Sequence, residues 1–256
     1  MKVIQNKLLI SFIGLQLCCS CGIVGHGFDR DEMKNELALQ VPTITDEDIK
    51  KASAAKSDLF APFSVGVFYR ESRERDPTNT RSSQWTDLDR KIISEALQKL
   101  KDQSLISDYL TLSPLLISTP DLKSLLLAAA LSHVDVVLQI SGIGAVDVYE
   151  NVWAIAYLPI FTLSFVHGTN VDALYKLKAD LWDVKNNYLL FNIDFENIKK
   201  EKRPGWFRHE QEILNKAKTQ AMDSLKTELF RKFESLKKSP RSSDTQAIYT
   251  LGAKTY

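Results

Sequence analysis

Cysteine is the residue type with the clearest chemical signal in this chain. All three cysteines fall within four positions, at Cys18, Cys19 and Cys21, directly after an uncharged apolar run from Leu8 to Leu17. This run is too short to span a hydrocarbon core, which needs about 20 residues. Two lysines, at positions 2 and 7, precede it. A basic start, a short apolar run and a small-residue site are typical of a secretory signal.

The segment around the cysteines resembles the lipobox of bacterial lipoproteins, in which the thiol of a cysteine after a small residue accepts diacylglycerol. Cys21 follows Ser20, so it is the preferred acylation site, with Cys19 and then Cys18 as alternatives. The pattern is closer to the relaxed lipobox of lineages such as spirochaetes, because Cys18 occupies the usual apolar position. An ordinary cleaved signal or an uncleaved anchor is the other interpretation.

We therefore expect residues 1–20 to be a lipoprotein signal peptide and palmitate or similar acyl chains on Cys21 to anchor the protein to a bacterial membrane, the outer one by preference. Buried acyl chains give stable anchoring when more than one is present. With Cys21 acylated, the mature chain has no free thiol, which excludes disulfides, a cysteine nucleophile and thiolate metal sites.

The histidines and glycines do not form a catalytic or cofactor motif. The four histidines, at positions 26, 133, 167 and 209, are not at metal-ligand spacing, and Ile213 stands where a zinc-protease helix would carry its second histidine. Ser141–Gly144 (SGIG) follows a predicted strand, but no Lys-Ser/Thr follows it, and Asp147 replaces the third glycine of a dinucleotide-binding loop. We predict no cofactor, no metal and no enzymatic activity.

Charge and hydropathy narrow the class of protein. Lys and Arg number 33 and Asp and Glu 32, so the chain lacks the basic excess expected of a nucleic-acid binder. The mean hydropathy of −0.17 excludes a polytopic membrane protein.

The first half of the mature region alternates strands and helices. The patterns predict strands at 63–69, 107–112 and 134–140, and two helices between them. The first helix, 87–101, has Thr86 as its N-cap and an apolar face that runs from Leu88 to Leu100. The second begins after Thr119 and ends near His133. Dense β-branched residues favour a central position for the strand at 134–140.

The second half predicts an antiparallel meander and a closing helix. Residues 152–166 are uncharged and aromatic, and we interpret them as a strand with an irregularity at Pro159. Residues 171–181 and 189–195 alternate apolar and charged side chains, with Leu174 as the exception, so one buried face is expected. A helix at 206–237 follows. The predicted fold is therefore α+β, with a mixed sheet, a strand-helix-strand-helix-strand half, an antiparallel meander and a long C-terminal helix.

The same patterns suggest four regions. These are a signal peptide at 1–20, a glycine-rich and charged tether at 21–60 that could hold a short helix at 45–55, a domain at 61–238 and a weakly ordered tail at 239–256.

Several segments together resemble the rhombotail lipoprotein family of bacteria. They are the strand at Val65–Val67, the approach to the first helix at Trp85–Asp87, Ser113-Pro114, Val134–Val137, the strand with Trp153, the hairpin at 180–190 and the final helix. The resemblance implies no catalytic residues.

We expect a membrane-anchored cell-envelope lipoprotein whose domain binds a protein or another envelope component. Two alternatives remain. One is a periplasmic small-ligand carrier or enzyme with the strand from Trp153 to Phe165 as a pocket wall. The other is a subunit of an envelope assembly or export complex.

Overall fold

A computed structural model describes residues 27–37, 59–71, 81–82, 84–117, 121–150, 169–203 and 210–238, together with the single positions 47, 50, 53, 54 and 57. Its helices are α1 (Arg30–Leu37), α2 (Asp87–Asp102), α3 (Leu122–Leu131) and α4 (Glu210–Lys238), and a 3₁₀ turn covers Pro114–Leu116. Its strands are β1 (Phe63–Arg70), β2 (Arg81–Ser82), β3 (Ile106–Thr111), β4 (Val136–Glu150), β5 (Thr169–Asp183) and β6 (Tyr188–Arg203).

The strands form one mixed sheet in the order β3-β1-β4-β5-β6, and β2 pairs with β4 beside this path. β1 is parallel to both β3 and β4, whereas β4, β5 and β6 are antiparallel neighbours. Parallel neighbours need a crossover connection, and α2 and α3 provide these crossovers. The predicted α+β class, with its mixed sheet, antiparallel meander and long C-terminal helix, is confirmed.

Helices cover both faces of the sheet. On the first face, α2 and α4 pack against side chains such as Val65, Leu138 and Leu177, all less than 1% exposed. On the second face, α3 packs against Val137, and α1 packs further along the sheet against Ile143 and Leu174. Leu174, the exception to the sequence alternation, is buried because α1 covers it.

The segment that pairs with β5 differs from the expected one. β4 extends to Glu150 and pairs with β5 residue by residue from Val136↔Asp183 to Glu150↔Thr169, while β6 occupies the other edge of β5. Residues 152–166 were expected to pair with β5 as the first strand of the meander, and this expectation is wrong because β4 and β6 occupy both edges of β5. These residues themselves lie outside the described part of the chain. Ser141–Gly144, expected to follow a strand, lies inside β4.

The second face is also less exposed than the alternation predicted. The charged side chains of β5 were expected in solvent, yet Asp172, Lys176 and Asp180 are each less than a tenth exposed. The N-terminal segment explains part of this burial: Met33 and Leu37 of α1 are themselves buried, within the region interpreted as a tether. The division of the chain at residue 60 stays a prediction.

The described helices include none that is both long and apolar enough to cross a membrane.

Candidate functional site

A buried ion pair joins the two helices of the first face. The Lys218 ammonium, on α4, donates to the Asp89 carboxylate, on α2, at 2.5 Å and to the Gln84 carbonyl oxygen at 2.7 Å. Lys218 and Asp89 are 8% and 6% exposed, so water does not screen their interaction. The contact fixes the start of α2 against the first half of α4.

The start of α2 is built to hold this carboxylate. Thr86 is the N-cap and its side chain accepts from the backbone N–H of Asp89. Oδ2 of Asp89 in turn accepts from the backbone N–H of Thr86 at 2.7 Å and from the Thr86 hydroxyl at 2.8 Å. This reciprocal capping box satisfies donors that the first turn of a helix leaves unpaired. One carboxylate oxygen therefore serves both the cap and Lys218.

Two aromatic rings surround the same ammonium. Lys218 Nζ lies 5.1 Å from the centre of the Trp85 ring and 5.8 Å from that of Tyr175. The Trp85 indole N–H donates to the carbonyl oxygen of Arg70 at 2.8 Å, so β1 orients the ring. Cations over aromatic faces gain an attraction that grows as water is removed.

Glycines in β4 make space for Tyr175. A Cβ on Gly142 would lie 2.5 Å from the Tyr175 hydroxyl oxygen, and a Cβ on Gly144 would lie 2.5 Å from Leu214. The Tyr175 hydroxyl has no hydrogen-bond partner within the described residues. Burial, with a smaller contribution from the Asp89 charge, raises the pKa of Tyr175 well above its usual range, so this phenol stays neutral.

These groups hold structure rather than offering a reactive atom. The ammonium is bound by the carboxylate and a carbonyl, the carboxylate oxygen accepts three donors, and the phenol does not ionise at physiological pH. Among the described residues, His, Cys, Asp and Glu also form no cluster that could hold a metal ion. We interpret the cluster of Lys218, Asp89, Trp85 and Tyr175 as a lock between α2, α4 and the sheet.

A second polar group lies on the second face between α1 and α3. Asp180 accepts from the Asn192 side-chain amide at 2.5 Å and pairs with Lys178 at 2.9 Å. Gln139, directly opposite Asp180 in the sheet, is 2% exposed, and its Oε1 has no partner in the described ranges. Nε1 of Trp182 also has no hydrogen-bond partner among the described residues. Trp182 lies two residues from Asp180 on the same strand and face. The described residues of this face thus include one unpaired acceptor and one unpaired donor.

Exposed leucines form a third feature. We use the name leucine surface for five side chains of β3, the 3₁₀ turn and α3 that are between 38% and 96% exposed: Leu110, Leu115, Leu116, Leu127 and Leu131. α3 carries a single charge over ten residues and buries only Leu125, Ala128 and Ala129. A helix this apolar normally buries more of its surface, so these leucines are suited to contact another molecule.

Most residues singled out from the sequence lie outside the described part of the chain. Cys18, Cys19 and the predicted lipidation site Cys21 lie outside the described part of the chain, as do His26, His167 and His209. The segment from Trp153 to Phe165, considered as a pocket wall, lies outside it as well. His133, expected to end the second helix, follows the end of α3 by two residues with φ 53°.

The Lys218–Asp89 pair was not predicted, although the sequence contains a signal for it. Lys218 follows Leu214 by four residues and precedes Ala221 and Leu225 by three and seven, so it occupies a position of the buried stripe of α4. A lysine at such a position needs a buried partner. Nothing in the helical period of α4 identifies that partner as Asp89, because the contact joins residues 129 apart.

Comparisons with known proteins add little. No protein-family model matches the chain, and no curated protein does so. Among solved structures, the chain is similar to protein XCC0632 from Xanthomonas campestris, which is described by the family model DUF330. The identity is 12%, the match covers 70% of this chain and 89% of that chain, and the TM-score is 0.34. A TM-score this low does not establish a common fold.

Proposed function

We propose that this protein is a membrane-anchored lipoprotein of the bacterial cell envelope whose α+β domain binds a partner protein. The anchor is the acylated Cys21, and the leucine surface is the docking site. The observation that carries the binding role is the exposure of large apolar side chains on α3 and the 3₁₀ turn, with Leu115 at 96% and Leu131 at 66%. Exposed apolar patches commonly mark interaction sites.

The composition of this surface favours a protein partner. Leucines provide apolar area without a charge that a small polar ligand would need, and Lys123 and Asp121 at the start of α3 supply a polar margin. An apolar centre with a polar rim is the usual anatomy of a protein interface.

Two experiments test the two parts of the proposal separately. For the anchor, cells fed a labelled fatty acid should produce labelled protein, and Cys21→Ala should remove the label. A label that persists in Cys21→Ala but disappears in Cys19→Ala would move the acylation site to Cys19.

For the docking site, a photo-crosslinking residue placed at Leu115 should give an adduct of defined mass in intact cells. Gln220, an exposed residue on α4, provides the matched control position, where that adduct should be missing. Leu127→Glu should abolish the adduct at Leu115 without lowering stability, because Leu127 is 61% exposed. Equal crosslinking at Leu115 and Gln220 would refute the docking site.

A further inference from the structure

Strand β6 forms one edge of the sheet, and β5 is its only partner among the described strands. It runs over 16 residues without a proline, and its ladder with β5 is continuous from Phe191 to Arg203. The outer side of an edge strand carries backbone N–H and C=O groups that have no partner in the sheet. Native proteins commonly protect such an edge by keeping it short or placing proline in it. Because β6 has neither protection, its outer side can pair with another strand.

Charged side chains on the second face of β6 follow one another in a fixed order. Ile198 is paired with Leu174 and therefore shares its face, and residues two apart on a strand lie on one face. The row on this face consists of Asp194, Glu196, Ile198, Lys200 and Lys202. Two acidic residues thus precede an apolar residue that is 39% exposed, and two basic residues follow it. This row is complementary to itself when its direction is reversed.

The outermost charges of this row are unpaired. Glu196 pairs with Arg30 at 2.9 Å and with Lys176 at 3.4 Å, and Lys200 pairs with Asp172 at 2.8 Å. The two end residues of the row, at positions 194 and 202, are exposed and have no ion-pair partner among the described residues. An acidic and a basic side chain are therefore available to contact another molecule.

One register brings the row and its copy into full agreement. In an antiparallel pair about a two-fold axis at Ile198, this residue lies opposite the same residue of the second copy. Glu196 then lies opposite the second copy's Lys200, and Asp194 opposite its Lys202. Symmetry repeats both pairs on the other side of the axis. Opposite charges across paired strands stabilise the pairing, and an apolar pair at the centre does the same.

Neighbouring registers lack this agreement. A two-fold axis at Glu196, Lys199 or Lys200 would place that charge opposite the same charge of the second copy, which is destabilising. An axis at Asn197 would keep one opposite-charge pair on each side instead of two. The axis at Ile198 places no like charges opposite each other anywhere between positions 193 and 203.

We propose that two copies of this chain associate through antiparallel pairing of their β6 strands about a two-fold axis at Ile198. The two sheets then form one continuous sheet. Because β3 is the opposite edge of each sheet, the leucine surfaces lie at the two far ends of the dimer. The inference goes beyond the proposed function and does not depend on the lipid anchor.

Disulfide crosslinking tests the position of the axis. The full chain, extracted from its membrane in detergent, is oxidised as Ile198→Cys and, in a matched sample, as Asn192→Cys, an exposed position on the same strand and face. The two copies of position 198 lie directly opposite each other, about 5 Å apart at Cβ, whereas the two copies of position 192 lie about 40 Å apart. We expect a crosslinked dimer with Ile198→Cys, and with Asn192→Cys only the background that the unsubstituted chain gives.

Charge reversal tests the register. Asp194→Lys alone or Lys202→Glu alone turns two attractive pairs of the dimer into repulsive ones, so each should raise the dimer dissociation constant roughly tenfold. The double variant should restore it. Within one chain these residues are separated by about 27 Å along β6, so the restoration can arise only between copies. Sedimentation equilibrium in density-matched detergent measures the dissociation constant.

Three results would overturn this pairing. The first is a chain that sediments as a monomer at every concentration. The second is a dimer in which Ile198→Cys crosslinks no better than Asn192→Cys. The third is a double variant that dimerises no better than either single variant. None of these measurements reports on acylation or on the leucine surface, so each result leaves the proposed function standing.

Discussion

Removing the ammonium of Lys218 should destabilise the domain more than any surface substitution on α4. Lys218→Met keeps an unbranched side chain beside Trp85 and Tyr175, but it leaves the Asp89 carboxylate buried without its cation. Breaking a buried ion pair by removing one partner costs about 3–5 kcal/mol. The lower figure applies here, because Asp89 keeps its two hydrogen bonds from Thr86 and lies at the positive end of α2.

The expected loss is therefore about 3 kcal/mol of unfolding free energy. For a chain of this size it corresponds to a fall in Tm of roughly 6–12 °C. Urea unfolding followed by tryptophan fluorescence measures it, with Trp85 beside the substituted side chain. Lys216→Met is the matched control: this exposed lysine on the same helix pairs with Glu201 and Glu212 at the surface, where an ion pair contributes at most about 1 kcal/mol.

A double variant shows whether the loss arises from the pair itself. Asp89→Asn combined with Lys218→Met removes both charges, while the Asn side chain still accepts from the Thr86 N–H as a cap. The double variant should regain at least 1 kcal/mol over Lys218→Met alone, of the order of a coupling between contacting residues. A Lys218→Met loss no larger than that of Lys216→Met, or strictly additive single variants, would refute the lock.

Three further substitutions test other parts of the structure. Burial raises the pKa of Tyr69 to about 12; because the unfolded value is about 10, the phenol's contribution is complete below pH 10 and is lost as the pH rises toward 12. Between pH 10 and pH 12 the unfolding free energy of Tyr69→Phe should therefore fall by about 2 kcal/mol less than that of the unsubstituted protein. If the two proteins lose stability in parallel over this range, the raised pKa of Tyr69 is contradicted. Gly142→Ala should cost about 1–3 kcal/mol in urea unfolding because its methyl group meets the Tyr175 hydroxyl, and an unchanged midpoint would argue against the contact. Met33→Ala should cost about 2–5 kcal/mol because Met33 is 1% exposed, whereas a segment that served only as a tether would show no loss.

Local patterns predicted the elements that pack in a regular way. Thr86 was recognised as the cap of α2 because capping needs only residues of one turn, and the predicted helix at 87–101 agrees with Asp87–Asp102. The alternation in β5 and β6 identified their first-face residues, such as Leu177 and Ile193, because it too depends only on residues that are close in sequence. Leu88 was placed on the buried face of α2 but is 63% exposed. The buried stripe of α2 runs through Asp89, Ile93, Ala96, Leu97 and Leu100, and Leu88 lies about a third of a turn away from it.

Features that depend on distant parts of the chain were not predictable. The burial of Lys176 and Asp180 follows from helices on the second face. The sequence of α1, RDEMKNEL, has only two apolar residues, which is too few to predict that contact. The length of β4 was missed because Gly142 and Gly144 suggest a loop, whereas the structure uses them to admit Tyr175 beneath a continuous strand. The leucine surface could not be predicted from the sequence, because apolar residues in a helix are normally expected in the core. Only the position of α3 on the sheet shows which of its leucines are exposed.

In the proposed function, an acylated cysteine holds the domain to a membrane. The mass of the N-terminal peptide, taken from protein purified from its native membrane, reports on this acylation. We expect a peptide that begins at Cys21 and carries the mass of diacylglycerol and a further acyl chain. A peptide that begins elsewhere, or one that begins at Cys21 with no added mass, would contradict it.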